Sequence, residues 1–288
     1  MTGASEACRV TPRPGLDEHG FIVREGSLAR VPPAFRPVVG AARDRAVDVF
    51  GTRLHSAYVY GSIPRGTARV GQSDLDLLLA LREEPTETDW ASARVLDRAL
   101  DNEFEQIDGA GTLLVSRAQV LSALERHDLG WFVACLCTPV HGEDLAGHLP
   151  RYRPDSLLAR ETNGDLALCL PRWRRLIAEA TAPGAPPGAV RARVRGISRR
   201  LVRTGFTLVM PRWDGWTSDL HEMAEAFAVY YPEWGPHMRE AASLGQEPSD
   251  EPAVLRSFLR SHVEELGQWL SEEYARVHGV KAPRPASA

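Results

Sequence analysis

The sequence predicts an α+β domain followed by an all-helical bundle domain. Segments with the pattern of β-strands occur only in the first half of the chain, where they are interleaved with amphipathic helical segments. From about Pro154 onward the strand signals stop and helical periodicity takes over. The length of 288 residues also favours two domains over one. We therefore expect an α+β domain over residues 1–150, a helical domain over residues 151–280 and a disordered tail over residues 281–288.

The first domain is predicted to follow the order helix, strand, strand, helix, strand and helix. The expected helices cover residues 38–50, 90–104 and 117–125, and the expected strands cover residues 55–60, 74–81 and 112–116. In the second strand one face carries Leu75, Leu77, Leu79 and Leu81, and the other carries Asp74, Asp76, Leu78 and Ala80. We therefore expect this strand to be covered on both sides, with its two acids at the entry.

Helical patterns fill the second domain, and proline, glycine and capping residues mark their ends. Helices are expected over residues 156–179, 189–210, 218–230, 232–244 and 251–278. Pro171 should kink or split the first of them, and residues 183–188 form a linker. Thr217 or Ser218 is expected to cap the third helix, with Asp219 in its first turn.

Composition excludes several classes of protein. The formal net charge of -4 argues against a globally basic nucleic-acid binder. The longest apolar stretch, residues 131–140, is about half of the roughly 20 residues that a membrane helix needs, and the N-terminus lacks a signal-peptide pattern. We expect a cytoplasmic protein with no membrane partner. The four cysteines, Cys8, Cys135, Cys137 and Cys169, show neither a disulfide nor a zinc pattern, so buried free thiols are expected.

Lysine usage narrows the chemistry further. Of the 34 basic residues 33 are arginine, and the single lysine is Lys281 near the C-terminus. Phosphate-loop lysines, Schiff bases and lysine-linked nucleotidyl intermediates are thereby removed from consideration. Any phosphate must be held by arginines, hydroxyl groups, backbone amides or a metal.

The stretch from Tyr60 to Leu81 carries the chemistry. A predicted strand ends at Gly61-Ser62, a glycine-containing loop follows, and the next strand opens with Asp74-Leu75-Asp76. Because side chains alternate along a strand, the two aspartates project from one face, where they can share divalent cations. The residue pattern thus predicts a metal-assisted nucleotidyl transfer site.

Phosphate-binding groups are expected around these two acids. Gly61 permits close backbone approach, and the Ser62 hydroxyl with nearby amides can hold phosphate oxygens. Arg65 can add a bidentate phosphate contact, and Ser73 directly precedes the first aspartate.

These residues resemble the signature of the DNA polymerase β-like nucleotidyltransferase superfamily. The resemblance rests on Gly61-Ser62, the 11 residues between Ser62 and Asp74, and the apolar residues around Asp74 and Asp76. It covers roughly residues 38–145, including a closing segment at residues 140–145. It implies a nucleotidyltransferase-like mixed sheet, with the helical domain on the substrate or nucleotide side.

The resemblance also implies a function. Asp74 and Asp76 would bind Mg²⁺, Gly61 and Ser62 would hold the phosphates, and a nucleoside monophosphate, expected to be AMP from ATP, would move to a hydroxyl of an acceptor. The acceptor is either a small molecule such as an antibiotic or an RNA. The sequence indicates no oligomeric state.

The third carboxylate of this family pattern has no clear equivalent. It is expected inside the strand at residues 112–115, yet no acid lies there and Gly109-Ala110-Gly111 precedes it. Asp108 is the nearest acid and is predicted as the third catalytic residue, with Glu105 a poorer option. The alternative is a catalytically impaired nucleotide-binding or interaction protein that keeps the fold.

An arginine-rich run in the helical domain is the second candidate site. Residues 171–212 contain ten arginines and one acid, Glu179. Arg191, Arg195 and Arg199 recur every four residues and share a helical face. Arg195 and Arg199 are predicted to bind a triphosphate or RNA, and the alternative is a solvated helix face.

Overall fold

The computed structural model describes residues 13–284, which divide into two compact units. One unit is Ile22–Tyr152, and the other joins residues 13–21 to residues 153–284. The first contains all four strands and the second is helical. Residues 13–21 therefore belong with the helical unit, although the sequence placed them in the α+β domain.

A four-stranded mixed sheet forms the centre of the first unit. Its strands are β1 (Leu54–Tyr60), β2 (Leu75–Leu81), β3 (Ala110–Ser116) and β4 (Thr138–Gly142), in the spatial order β3-β2-β1-β4. β1 runs antiparallel to both β2 and β4, whereas β2 and β3 are parallel. The predicted α+β class is confirmed.

Helices cover both faces of this sheet. They are α1 (Arg36–Phe50), α2 (Ser62–Arg65), α3 (Glu87–Glu103), α4 (Arg117–Leu121) and α5 (Trp131–Leu136), with a π-helical turn at Arg126–Gly130. Leu77 and Leu79 pack into the core that contains α1 and α3, while Leu78 and Ala80 pack into a second core with Val133. The predicted alternation along β2 is confirmed, and it places Asp76 on the face of the second core.

Side chains of α3 hold the outer edge of β3. Asp101 accepts a hydrogen bond from the Ala110 amide, and Asp97 accepts from both the amide and the hydroxyl of Thr112. Burial raises the pKa of the Asp97 carboxyl, while the hydrogen bonds from Thr112 oppose that rise. Two amides of an edge strand are thus satisfied by carboxylates instead of by another strand.

Seven α-helices and a π-helical segment make up the described part of the second unit. They are α6 (Ser156–Asn163), α7 (Leu166–Ala180), α8 (Ala189–Trp213), α9 (Leu220–Tyr230), α10 (Gly235–Gln246), α11 (Pro252–Phe258), the π-helical segment (Leu259–Leu266) and α12 (Gly267–His278). α8 packs against α6, α7, α9, α10 and α12. The buried Tyr274 hydroxyl donates to the carbonyl of Ala159 and hydrogen-bonds Thr207, which ties α12 to α6 and α8.

Two helix boundaries differ from prediction. The first predicted helix is broken at Gly164-Asp165, whereas Pro171 lies inside α7. Gly164 packs so closely that an added Cβ would lie 2.5 Å from the carbonyl oxygen of Arg160. Asp219, which was expected in the first turn of α9, is its N-cap instead, because its carboxylate accepts the amides of residues 221 and 222.

Two short elements also differ. The helix expected over residues 117–125 ends at Leu121, and β4 was not predicted as a strand. β4 contains Pro139 and pairs only with β1, and an edge strand tolerates a proline because its outer amides need no ladder partner.

The predicted tail is partly ordered. Lys281 is 8% exposed and its amide donates to the carbonyl of Gly164, so it packs against the end of α6. Residues 285–288 lie outside the described residues. Cys135 and Cys137 are buried free thiols as predicted, Cys169 is a free thiol that is only half-buried, and Cys8 lies outside the described residues. Between residues 13 and 284 no helix has both the length and the apolar character needed to cross a membrane.

Candidate active site

The end of β1 meets the start of β2 at Gly61 and Asp76. Tyr60, the last residue of β1, pairs with Asp76, and Gly61 follows with a φ of 81°. A Cβ added to Gly61 would lie 2.6 Å from Oδ2 of Asp76, well inside van der Waals contact. Only glycine allows both this backbone conformation and this close carboxylate.

Asp74 directly precedes β2, and Asp76 is the second residue of that strand. Asp76 follows Asp74 by two residues, and both side chains are half-buried. Burial raises the pKa of the Cys137 thiol, and the Asp144 and Asp76 carboxylates raise it further. Cys137 belongs to the second core, so this core lies within electrostatic range of the Asp76 carboxylate.

Ser62 opens the short helix α2 and directly follows Gly61, the residue that contacts the Asp76 carboxylate. Its carbonyl accepts the Thr67 amide at 3.0 Å, which closes the turn. Its hydroxyl is half-exposed and makes no hydrogen bond to any described residue. The Ser62 hydroxyl is thus available to a ligand.

Ser73 holds the loop that connects α2 to β2. Its hydroxyl accepts the Arg69 amide at 2.9 Å, and its own amide donates to the Arg69 carbonyl. The loop is also tied to the start of β3, because the Gly71 amide donates to the carbonyl of Gln106. These contacts give Ser73 a part in fixing the entry to Asp74.

Arg65 lies against an acid that the sequence analysis did not identify. Its guanidinium is 3.7 Å from Glu25, whose side chain is only 14% exposed. Glu25 belongs to a segment that runs beside α2 and α5: its amide donates to the carbonyl of Cys135, and the Ser27 amide donates to that of Pro64. An added Cβ on Gly26 would lie 2.9 Å from Cβ of Pro64, so this segment requires a glycine there. The ion pair links Arg65 to this segment.

The third predicted acid does not join the other two. The Asp108 amide donates to the carbonyl of Ser73, which places Asp108 before both strands, and its side chain is exposed. Glu105 is also exposed. Within residues 13–284 no group of three or more histidine, cysteine, aspartate or glutamate side chains is arranged to hold a metal ion.

Gly111 occupies the place beside Asp76 on β3. The parallel register pairs Asp76 with Gly111 and Leu78 with Leu113. A Cβ added to Gly111 would meet no atom within 4 Å, so the sheet is open at this point. The sequence indicated that an acid is absent from this strand. That Gly111 is the residue paired with Asp76 is seen only in the structure.

The donor set suits Mg²⁺ without a third protein carboxylate. Mg²⁺ is commonly bound by one or two carboxylates together with waters and substrate phosphates. Asp74 and Asp76 are two half-buried carboxylates two residues apart, and Ser62, a further oxygen donor, follows the glycine that contacts Asp76. The residues present therefore fit a magnesium ion that arrives with a polyphosphate.

The arginine face of α8 contacts the end of α10 and the segment after it. The Arg199 guanidinium donates to the carbonyl of Gly245 at 2.8 Å, and that of Arg191 donates to the carbonyl of Pro248 at 3.1 Å. A cation at a helix C-terminus satisfies carbonyls that have no intrahelical partner. Arg195 is half-buried between them along the sequence. Phosphate binding by Arg195 and Arg199 stays a prediction.

A second polar contact in the helical unit was not predicted. The Tyr231 hydroxyl donates to Glu273 at 2.6 Å, and Arg276 donates to the same carboxylate at 2.6 Å. The hydrogen bond from Arg276, helped by that from Tyr231, lowers the pKa of Glu273 to about 2.

No family model and no curated protein matches the chain. Among solved structures, the chain is similar to spectinomycin adenyltransferase AAD(9) from Enterococcus faecialis, whose crystal structure contains ATP and spectinomycin. The identity is 13% and the TM-score is 0.49, over 83% of this chain and 98% of that one.

Proposed function

We propose that the first unit is a Mg²⁺-dependent nucleotidyltransferase that moves a nucleoside monophosphate, with ATP as the expected donor, to an acceptor. One observation supports this most: the Asp76 carboxylate lies against Gly61 where β1 ends beside the start of β2, and Ser62 directly follows that glycine. A bare glycine, a hydroxyl donor and paired carboxylates are the groups that a metal-bound triphosphate needs.

Each residue has a separate part in this proposal. Asp74 and Asp76 would hold Mg²⁺, which when bound neutralises charge on the triphosphate and on the departing pyrophosphate. The Ser62 hydroxyl donates to a phosphate oxygen, and Gly61 leaves room for that oxygen next to the carboxylate. Arg65 and Ser73 would bind phosphate from the turn and the loop that their contacts hold in place.

Calorimetry and turnover assays of aspartate variants test this function. Asp74→Asn and Asp76→Asn should each remove the Mg²⁺-dependent part of ATP binding and abolish pyrophosphate release, while the thermal unfolding transition stays. Asp48→Asn, on the exposed side of α1, changes the same charge away from the site and should behave as wild type. Normal Mg²⁺-dependent turnover in either site variant would refute the assignment.

A protein that binds nucleotide without catalysis is the second candidate. Gly111 beside Asp76 favours it, because the family pattern places a carboxylate on this strand. Binding of Mg²⁺ and ATP by calorimetry, with no pyrophosphate release over a broad acceptor panel, would favour this candidate over the transferase.

Salt dependence separates the predicted acceptor classes. Each phosphate that a protein neutralises on single-stranded RNA contributes a slope of about -0.7 to log K against log salt. A slope near zero with purified tRNA would exclude RNA and leave the small-molecule acceptor. A steep slope that becomes shallower in Arg195→Gln would instead support the predicted RNA face of α8.

A further inference from the structure

The face of β3 beside Asp76 lacks a proton acceptor. Residues 111, 113 and 115 share this face, and they are Gly111, Leu113 and Val115. Leu113 is 36% exposed and Gly111 is open to solvent, so the space is accessible. Asp108, the nearest acid before the strand, does not group with Asp74 and Asp76. On β3, a ligand that enters beside Asp76 thus meets a bare backbone and an apolar side chain.

This arrangement limits the chemistry of the acceptor. A hydroxyl acceptor must lose a proton as it attacks, and a positioned general base contributes about 10²- to 10⁴-fold to such a step. A phosphate monoester has a second pKa of about 6, so at neutral pH its attacking oxygen is already ionised. Such an acceptor needs no base at Gly111, and a carboxylate there would repel it.

We propose that the acceptor is a phosphate monoester, an inference that rests on the proposed nucleotidyl transfer and narrows its substrate class. A non-bridging oxygen of the monoester forms a bond to the α-phosphorus of the NTP, and the bond between that phosphorus and the oxygen bridging to the β-phosphorus breaks. Pyrophosphate leaves with the electron pair of the broken bond. The product contains a new diphosphate linkage, and the acceptor releases no proton.

Arg69 supplies positive charge at the same end of the sheet. Its backbone is fixed to Ser73, the residue before Asp74, by the hydrogen bonds described above. Its side chain is exposed and has no acidic partner within ion-pair distance among the described residues. Arg65, in contrast, is paired with Glu25. Arg69 is therefore available to an anionic ligand that approaches the entry of β2.

The test compares glycerol 3-phosphate and inorganic phosphate with glycerol as acceptors. Wild type with Mg²⁺ and ATP labelled at the α-phosphate should form diphosphate products, identified by ³¹P NMR, and should give no product with glycerol. Gly111→Asp adds a carboxylate beside Asp76 where the space is open, and it should lower turnover of glycerol 3-phosphate at least tenfold. Gly147→Asp, at another open glycine of the same unit, is the matched control.

A binding measurement keeps the test independent of turnover. With a non-hydrolysable ATP analogue and Mg²⁺ bound, calorimetry should detect glycerol 3-phosphate binding to wild type and Gly147→Asp. Gly111→Asp should weaken that binding at least tenfold, and Arg69→Gln should weaken it by a similar factor.

The outcomes distinguish failure of the phosphate monoester inference from failure of the proposed nucleotidyl transfer. Transfer to glycerol but not to either phosphate by wild type would overturn the inference and leave the transferase proposal intact. Binding of Mg²⁺ and ATP without transfer to any phosphate monoester would also overturn it. Failure of wild type to bind ATP would instead overturn the proposed function itself.

Discussion

The Asp76 carboxylate lies against the Cα of Gly61, so that a Cβ on this glycine would come within 2.6 Å of Oδ2. The two residues belong to neighbouring strand ends that the antiparallel pairing of β1 and β2 brings together. The position of a charged group in the candidate site is therefore set by the absence of a side chain opposite it. A single methyl group is enough to test this relationship.

Gly61→Ala should disturb the site more than the fold. A non-glycine residue at positive φ costs about 1–2 kcal/mol, and the added methyl must also displace the carboxylate. We expect Mg²⁺-dependent ATP affinity to fall at least tenfold in calorimetry. Gly51→Ala, where φ is 49° and an added Cβ meets nothing within 4 Å, carries the backbone strain alone. Equal ATP affinities in the two variants would contradict the role given to Gly61.

The variant Asp108→Asn tests whether Asp108 is the general base or whether the acceptor needs no base. If Asp108 is the general base, its amide variant should lose about 10²- to 10⁴-fold in kcat while ATP affinity is unchanged. Because Asp108 is exposed and the acceptor is inferred to arrive ionised, we expect turnover with phosphate monoesters to stay within twofold of wild type. A large loss of kcat, measured with the same acceptor, would restore Asp108 to the catalytic residues.

Arg199→Gln should destabilise the helical unit. The variant removes the hydrogen bond to the Gly245 carbonyl at the end of α10, and hydrogen bonds to charged groups contribute about 1.5–3 kcal/mol. We expect a loss of about 1–2 kcal/mol in urea unfolding, with little change in ATP affinity. Arg193→Gln, on an exposed position of the same helix, is the control. Lower ATP affinity with unchanged stability would support the predicted phosphate contact instead.

Glu273 should contribute a pH-dependent part of the stability. The hydrogen bonds from Arg276 and Tyr231 lower its pKa to about 2 from an ordinary value of 4.5. Because the folded pKa lies below the unfolded one, the contribution is fully present above about pH 4.5 and is lost as the pH falls towards 2. The stability difference between wild type and Glu273→Gln should therefore shrink over this window in urea titrations. The exposed neighbour variant Glu272→Gln should show a smaller dependence.

The alternation of residues in the sequence was sufficient to predict the part of the site that lies within one strand. The alternation of leucines with Asp76 along β2 fixed which face each side chain takes, and the structure agrees. The pairing of Asp76 with Gly111 was beyond such reasoning, since the register of parallel strands depends on contacts distant in sequence. The Arg65–Glu25 pair was also not predicted, because the two residues are distant in sequence and Glu25 lies in a segment without periodicity.

Predicted helix boundaries were wrong where tertiary packing outweighed the local effect of a proline. Pro171 was expected to kink or split its helix, yet α7 continues through it and the split falls at Gly164. The close approach of Lys281 to Gly164 contributes to that position, and this contact joins residues that are far apart in the sequence. A proline rule cannot anticipate a glycine that is required by a distant segment.

The carboxylates that α3 places on the outer amides of β3 also restrict which partners this protein can recruit. A peptide that extended the sheet by strand addition would first have to displace Asp97 from Thr112 and Asp101 from Ala110. The cost of stripping two carboxylates from their donors opposes that mode of association, as it opposes edge-to-edge aggregation. Association through strand addition at this edge is therefore opposed at the amides of Ala110 and Thr112.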